Sequence, residues 1–377
     1  MKRGENLLIV AASERDADML YAVGMFVPDP FIYMRIRGRN SAVLSDLEIG
    51  RARREARRCT VLPLSRYERR LHDAGVKRPG LADVVALILR EKRVRRVVVP
   101  PSFPCGLAAD LQRRGIRVRP KRGSFFPERE QKSDVEVKKI SAALMMAEVG
   151  LAEGIQVLRA AKVSRKGRLL YRDVPLTSEK LRAVIDTAII QANGLACHTI
   201  VAGGDQGCDP HEPGSGPLPA HKPIILDIFP RSQRTGYFGD ITRTVVRGHP
   251  SEAVRKLYAT VLQAQELALK RIRPGVPTAE VHRAVEDLFR REGYETGKAG
   301  GRMRGFFHGT GHGLGLEIHE APRLGPSSNE ILKAGHVVTI EPGLYYPGLG
   351  GVRLEDVALV TGQRPRNLTR FEKMLEI

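Results

Sequence analysis

Apolar and polar positions follow two rhythms along this chain, and the change between them divides it. Leu7 to Ala12 is a continuous apolar run of strand length, Asp16 to Val23 repeats at helical spacing, and Arg95 to Pro100 is a Val-rich run of the kind that fills a buried strand. Strands alternating with helices predict an α/β domain over residues 1–130. A segment punctuated by Pro and Gly between Pro120 and Pro127 then gives way, at Gln131-Lys132-Ser133-Asp134, to a long helical pattern that reaches Ala161.

Over 131–377 three more helices are predicted. Thr177-Ser178-Glu179 offers a hydroxyl cap and a first-turn carboxylate to one that Gly194 closes. Pro250-Ser251-Glu252 opens a second, which stops before Pro274-Gly275, and Pro277-Thr278-Ala279-Glu280 opens a third, which ends at Gly293. Four strand-like segments lie between and after them: Pro223 to Phe229, Tyr237 to Val246, His336 to Glu341 and Val352 to Val360. Helices beside antiparallel hairpins predict an α+β second domain over 131–377.

A length of 377 residues agrees with two cores rather than one. No apolar run approaches the roughly 18 residues of a membrane span, so no membrane partner and a cytoplasmic location are expected. Cys59, Cys105, Cys197 and Cys208 form no CxxC pair, and free, mostly buried thiols are expected, with a redox or metal role for Cys197 and Cys208 as a minor alternative. The net charge of +20 invites a nucleic-acid reading. Roughly +13 of it falls in the first 130 residues, concentrated between Arg51 and Arg58 and between Arg90 and Arg96. The first run has helix-forming composition and no aromatic residue interleaves with it to stack bases, so a solvated helix face is the expectation and nucleic acid is not an expected partner.

Carboxylates in strands carry the chemistry. Asp227 sits in Ile224-Ile225-Leu226-Asp227-Ile228, where an ionised group is unfavourable unless paired or bound to metal. Asp240 follows a Gly-containing turn and leads a Thr-rich strand, so a hairpin would turn both acids to one face; Asp240 could equally pair with Arg243 or cap the turn. The arrangement recurs near the C-terminus, where Glu341 ends Val337-Val338-Thr339-Ile340 and Glu355 lies in the strand that returns. Between the hairpins lies the run His308-Gly309-Thr310-Gly311-His312-Gly313-Leu314-Gly315-Leu316-Glu317-Ile318-His319-Glu320. Four carboxylates and a neutral imidazole carry about four negative charges, which two divalent cations would neutralise. Oxygen-rich ligation favours manganese, iron, cobalt or magnesium over a structural zinc.

The order Asp227, Asp240, His312, Glu341, Glu355 resembles the five-ligand signature of the pita-bread metallopeptidases. HGTGHGLGLEIHE, TIEPGLYYPG and GGVRLED resemble the proline-peptidase branch of that family, the Xaa-Pro aminopeptidases and prolidases, and residues 1 to about 130 resemble its creatinase/prolidase N-terminal domain. The resemblance implies a pita-bread catalytic domain that hydrolyses the N-terminal Xaa-Pro bond through a metal-bridging hydroxide. It implies two divalent ions, manganese foremost with cobalt, iron or zinc as alternatives, and a homodimer acting on peptides with proline second. Asp240 and Glu355 would bridge the ions, Asp227 would chelate one, and His312 with Glu341 would hold the other. His319 would support the intermediate, Glu341 would also carry a proton, and His211, ranked above His198, would be the second catalytic histidine. His308 is assigned to the substrate pocket, against a hydrogen-bonding core role. Arg353 would orient the Glu355 carboxylate or a substrate oxygen, with a structural ion pair equally open. The loop from Asp227 to Asp240 departs from the family by an even insertion at Pro230-Arg231-Ser232-Gln233-Arg234, which keeps each side chain on its face. Two other readings stay open: a dipeptidase, and a metal-free basic relative that binds RNA or protein.

Overall fold

The computed structural model describes residues 5–377; residues 1–4, counted above in the N-terminal domain, lie outside them. The chain forms two compact units that divide between Arg129 and Glu130.

The first unit is a three-layer α/β structure. Its strands are β1 (Leu7–Ala11), β2 (Phe31–Ile36), β3 (Arg39–Leu44), β4 (Thr60–Pro63), β5 (Arg96–Val99) and β6 (Arg117–Pro120), in the spatial order β4-β3-β2-β1-β5-β6. The run Leu7-Leu8-Ile9-Val10 is apolar throughout because successive side chains serve opposite faces. Leu8 and Val10 join the core under α3 (Leu64–Asp73), α4 (Leu81–Glu91) and α5 (Cys105–Arg113). Leu7 and Ile9 join the one under α1 (Ala17–Val23) and α2 (Asp46–Glu55). Asp16 caps α1 by accepting from the Met19 amide at 2.7 Å, and Gly24, at φ 80°, ends it.

The second unit opens with α6 (Asp134–Ala160), whose Ser133 and Glu136 form a reciprocal capping box. It packs on α7 (Ser178–Gln191). Strands β7 (Ile200–Gly203), β8 (Ile224–Ile228) and β9 (Ile241–Val245) make one antiparallel sheet. After α8 (Glu252–Arg271) and α9 (Thr278–Arg291) come β10 (Gly311–Gly313), β11 (Glu320–Leu324), β12 (Val337–Ile340), β13 (Gly343–Tyr346), β14 (Gly350–Arg353) and β15 (Asp356–Leu359). A second sheet runs β11-β10-β12-β15 and ends on Arg366–Asn367; β13 and β14 pair as a hairpin. Leu257, Val261 and Ala264 of α8 and Val281, Val285 and Phe289 of α9 share one core with Val338, Ile340, Leu344 and Val352.

Two predicted strands take a different form. Tyr237 to Val246 becomes regular only at Ile241, because Arg231–Ser232 pairs with Gly194–Leu195 and the Gly239 amide returns to the Pro230 carbonyl at 3.0 Å, making residues 230–239 a loop of their own. Val352 to Val360 is two strands. Arg353 still pairs with Gly343, Asp356 already pairs with Ile340, and between them the Glu355 amide donates to the Thr242 carbonyl at 3.0 Å. The switch of partners sets Glu355 where the two sheets meet.

Helix α6 is long and apolar enough to cross a membrane, although no such segment was expected from the sequence. Half of its apolar window is buried, with Ile140, Leu144, Leu151 and Leu158 in the interior and Asp134, Lys138, Glu153 and Arg159 exposed, the pattern of a core helix. The cysteines are free as expected but not mostly buried: Cys208 is buried, Cys59 and Cys197 are half-buried and Cys105 is exposed.

Candidate metal centre

Register brings the acids together. Asp227 on β8 stands opposite Thr242 on β9, so Asp240, two residues before Thr242, shares its face. The β12–β15 ladder ends at the pair Ile340–Asp356, which brings Glu341 and Glu355 to the same end. Thr242 ties the two sheets, donating through Oγ1 to Glu355 Oε2 at 2.8 Å. Asp227, Asp240, His312, Glu341 and Glu355 all line one cleft of about 630 Å³, together with His211, His308, His319 and Arg353. His198 does not line it. Neither do Cys197 and Cys208.

Ligand atoms of Asp240, His312 and Glu355 lie within 4.8 Å of one another, all three residues buried. His312 Nε2 is 3.4 Å from Glu341 Oε1 and 3.7 Å from Asp240 Oδ2. Its Nδ1 faces the Gly313 carbonyl at 3.1 Å, a contact that needs the proton on Nδ1. Burial holds the ring neutral, with its pKa lowered to about 3. A bare Nε2 lone pair therefore points at two carboxylates, a repulsive arrangement unless a cation stands between them.

The carboxylates carry the same signature. Burial, with Glu355, Asp227 and Glu341 close by, raises Asp240 well above the ordinary carboxylate range. Glu355 is raised well above it too, by burial and then by Glu341 and Asp227. Glu341 is pushed up to about 7, chiefly by burial, against the opposing charge of Arg353. Asp227 Oδ1 and Glu355 Oε1 are buried without a hydrogen-bond partner. Native structures rarely leave such oxygens orphaned, and an acidic donor set with spare oxygens fits divalent cations.

Arg353 donates through Nη2 to Asp227 Oδ2 at 2.7 Å and through Nη1 to the Tyr345 hydroxyl at 3.0 Å. Tyr345, with its pKa pushed up to about 12 by burial, keeps its proton and faces His308 Nε2 at 2.8 Å, while His308 Nδ1 faces the Gly309 carbonyl at 2.8 Å. The chain runs in one direction, from guanidinium to phenol to imidazole to carbonyl. Both nitrogens of His308 are thus engaged, the core role weighed against a substrate contact, and Arg353 fixes Asp227 rather than Glu355. His319 stands exposed at the cleft, its ring 4.5 Å from that of His312 and its pKa lowered by partial burial. His211 is exposed as well, on the turn after Asp209.

Several contributors had no signal in the sequence reading. Arg323 lines the cleft because β11 pairs it with His312, a neighbour visible only through strand register. Phe229, Phe307 and Ile318 give the cleft an apolar wall. Lys132 and Glu320 form a buried ion pair at 3.0 Å. Glu320 Oε1 also accepts the Leu316 and Glu317 amides at 2.9 and 3.1 Å, which fastens the loop that carries His319. A Cβ on Gly315 would meet that carboxylate at 2.7 Å and push it from the Leu316 and Glu317 amides.

Paired antiparallel sheets that bury acids and an imidazole around unclaimed lone pairs define the class: a metal-binding acidic centre in an α+β unit. The chain belongs to metallopeptidase family M24, whose model matches residues 138–362. An uncharacterised peptidase of Staphylococcus aureus (strain MRSA252) is 32% identical over 248 residues, 65% of this chain and 64% of that protein. The match thus spans less than two thirds of that relative's length. A Xaa-Pro dipeptidase of Pyrococcus furiosus is 37% identical over 191 residues, 50% of this chain and 52% of its own. The crystal structure of the X-Pro aminopeptidase from Thermotoga maritima superposes with a TM-score of 0.83 at 22% identity, covering 99% of this chain and 98% of that one. The fold is the two-domain pita-bread arrangement.

Proposed function

We propose that this protein is a metal-dependent exopeptidase that removes the N-terminal residue from peptides with proline in second position. Asp227, Asp240, His312, Glu341 and Glu355 would hold two divalent ions, manganese foremost, with cobalt, iron or zinc as alternatives. The observation that carries the reading is the His312 Nε2 lone pair directed at Glu341 and Asp240, beside the orphaned oxygens of Asp227 and Glu355. When bound, such ions lower the pKa of water and polarise a carbonyl.

The protein's own groups supply the rest. Arg353 locks one oxygen of Asp227 and leaves the other to the cleft. Glu341, on the cleft wall, accepts the proton of attacking water and returns it to the leaving proline nitrogen. His319 and His211 donate hydrogen bonds to the scissile carbonyl oxygen as charge develops there. Phe229, Phe307 and Ile318 exclude water and take the proline ring. The reading includes a homodimer in the cytoplasm, which sedimentation and cell fractionation test.

A dipeptidase is the second reading, and Arg323 favours it: a guanidinium on the cleft wall suits a carboxylate two residues from the substrate's amino end. Cleavage of Xaa-Pro dipeptides, Xaa-Pro tripeptides and Xaa-Ala controls by manganese-loaded protein tests both. Tripeptide turnover supports the aminopeptidase, turnover of dipeptides alone selects the dipeptidase, and equal turnover of Xaa-Ala rejects the proline preference.

A further inference from the structure

The two arginine-rich runs, the first of which by itself reads as a solvated helix face, do not lie apart. Strands β1, β3, β4, β5 and β6 run one way and β2 the other, so the turn after β2 and the starts of β4, β5 and β6 fall at one end of the sheet. Hydrogen bonds join these segments: Arg37 Nη2 to the Lys92 carbonyl at 3.2 Å, Asn40 Nδ2 to the Arg58 carbonyl at 3.3 Å, and the Arg117 amide to the Arg95 carbonyl at 2.8 Å. At this end Arg37 and Arg39 are exposed at the β2–β3 turn, as are Arg53 and Arg54 in the last turn of α2 and Arg57 and Arg58 between α2 and β4. Lys92, Arg93 and Arg95 are exposed between α4 and β5, as are Arg96 at the start of β5, Arg113 at the end of α5 and Arg117 at the start of β6. The exposed acids in these segments are Glu55 and Glu91.

Basic residues at helix C-termini complement the helix dipole, which accounts for Arg53, Arg54 and Arg113. It does not account for arginines on a hairpin turn and at strand starts. The other end of the sheet differs: Asp16, Asp18, Asp46 and Glu48 gather there around the starts of α1 and α2. Beside the basic end a groove of about 550 Å³ is lined by Arg96, Arg117 and Arg119.

We propose that this end of the N-terminal unit binds the phosphate backbone of duplex nucleic acid without reading its sequence. Six strands at ~4.8 Å spacing make the face about 24 Å wide, the length of about seven base pairs. Guanidinium forks match phosphate oxygens. No large hydrophobic residue of the described segments is exposed here, whereas a protein-docking face has an apolar centre and a membrane-binding face inserts apolar side chains. No aromatic residue is exposed in these segments to stack single-stranded bases, which leaves the backbone of a duplex as the ligand.

The test is fluorescence anisotropy of an arbitrary-sequence 20-base-pair duplex with the full chain over a salt series. With about six phosphates neutralised, affinity falls about a thousandfold from 50 to 200 mM salt. The variant R53E/R95E/R96E/R117E loses binding at all salts while its melting temperature and oligomeric state hold; R53Q/R95Q/R96Q/R117Q, with the same segments neutralised, weakens binding and flattens the salt dependence if the reversal does not fold. A control with the same charge change elsewhere, R165E/K166E/R271E/R291E, keeps most of the affinity. Equal loss in the control would assign binding to net charge and overturn the proposal. So would equal competition by polyglutamate, stronger binding to anionic lipid vesicles than to duplex, or a change of oligomeric state in the variants, which would make the face a site for acidic proteins, for membranes, or for a second copy.

Discussion

Glu355, where the two sheets meet, and Asp356, the first residue of β15, are neighbours in sequence, yet only Glu355 lines the cleft and their surroundings could hardly differ more. Asp356 receives Arg243 at 2.9 Å, Lys373 at 2.6 Å and Asn367 at 2.8 Å, so its charge is answered within the chain. Glu355 has Thr242 on one oxygen, nothing on the other, and carboxylates nearby. Strand β9 shows the same division, with Thr242 serving Glu355 and Arg243 serving Asp356. A buried acid with its own cations is part of the architecture; one without them needs a cation from outside. Burial alone therefore does not mark a site, and unanswered carboxylate oxygens among other acids do.

The widest gap between the two sides is expected in catalysis. Glu355→Gln and Asp240→Asn each lower kcat/KM by roughly a thousandfold and reduce bound metal, as expected for a group that acts with the ions. The metal-free variants unfold at the same or higher urea concentration than the metal-free parent, because buried repulsion is relieved. Peptidase assay, metal analysis and urea titration together check this; lost stability with retained metal would reverse the roles of the two faces.

On the other side, Asp356→Asn leaves the buried Arg243 without its countercharge and destabilises the protein by about 3 to 5 kcal/mol. Metal bound per folded molecule stays at the parent value. A large drop in metal content without a drop in stability would break the comparison.

Acidity separates the faces as well. Glu341, pushed up to about 7, holds in the metal-free native state a proton that the unfolded chain, near 4.3, has already released. Its contribution is full at low pH and disappears as pH rises from about 4.3 through about 7. The urea midpoint of metal-free protein should fall across that window, and added manganese should flatten the curve. A metal-free midpoint that rises there would contradict the assigned environment.

The smallest effect concerns the Lys132–Glu320 pair. The variant K132M/E320Q keeps an acceptor for the Leu316 and Glu317 amides but removes the ionic anchor of the His319 loop. A roughly tenfold loss in kcat with metal content and KM near parent values is expected. Loss of metal instead would place the pair in support of the ligands.

The chain's periodicities and caps determined much by themselves. Asp16, Ser133, Thr177 and Ser251 stand at helix starts where their side chains accept backbone amides, and the all-apolar β1 declared a strand buried on both faces. The spacing of acids along strands, and the glycine-rich histidine run, made the centre's chemistry legible, because side-chain direction in a strand follows from a period of two. What needed the tertiary structure was every pairing across distance. Arg323 beside His312, Lys132 against Glu320, the break that separates Glu355 from Asp356, and the basic segments gathered at one end of a sheet all depend on register and strand order. Local propensity sets how a segment folds, but which distant segment it meets is decided by how faces and lengths fit together in the core.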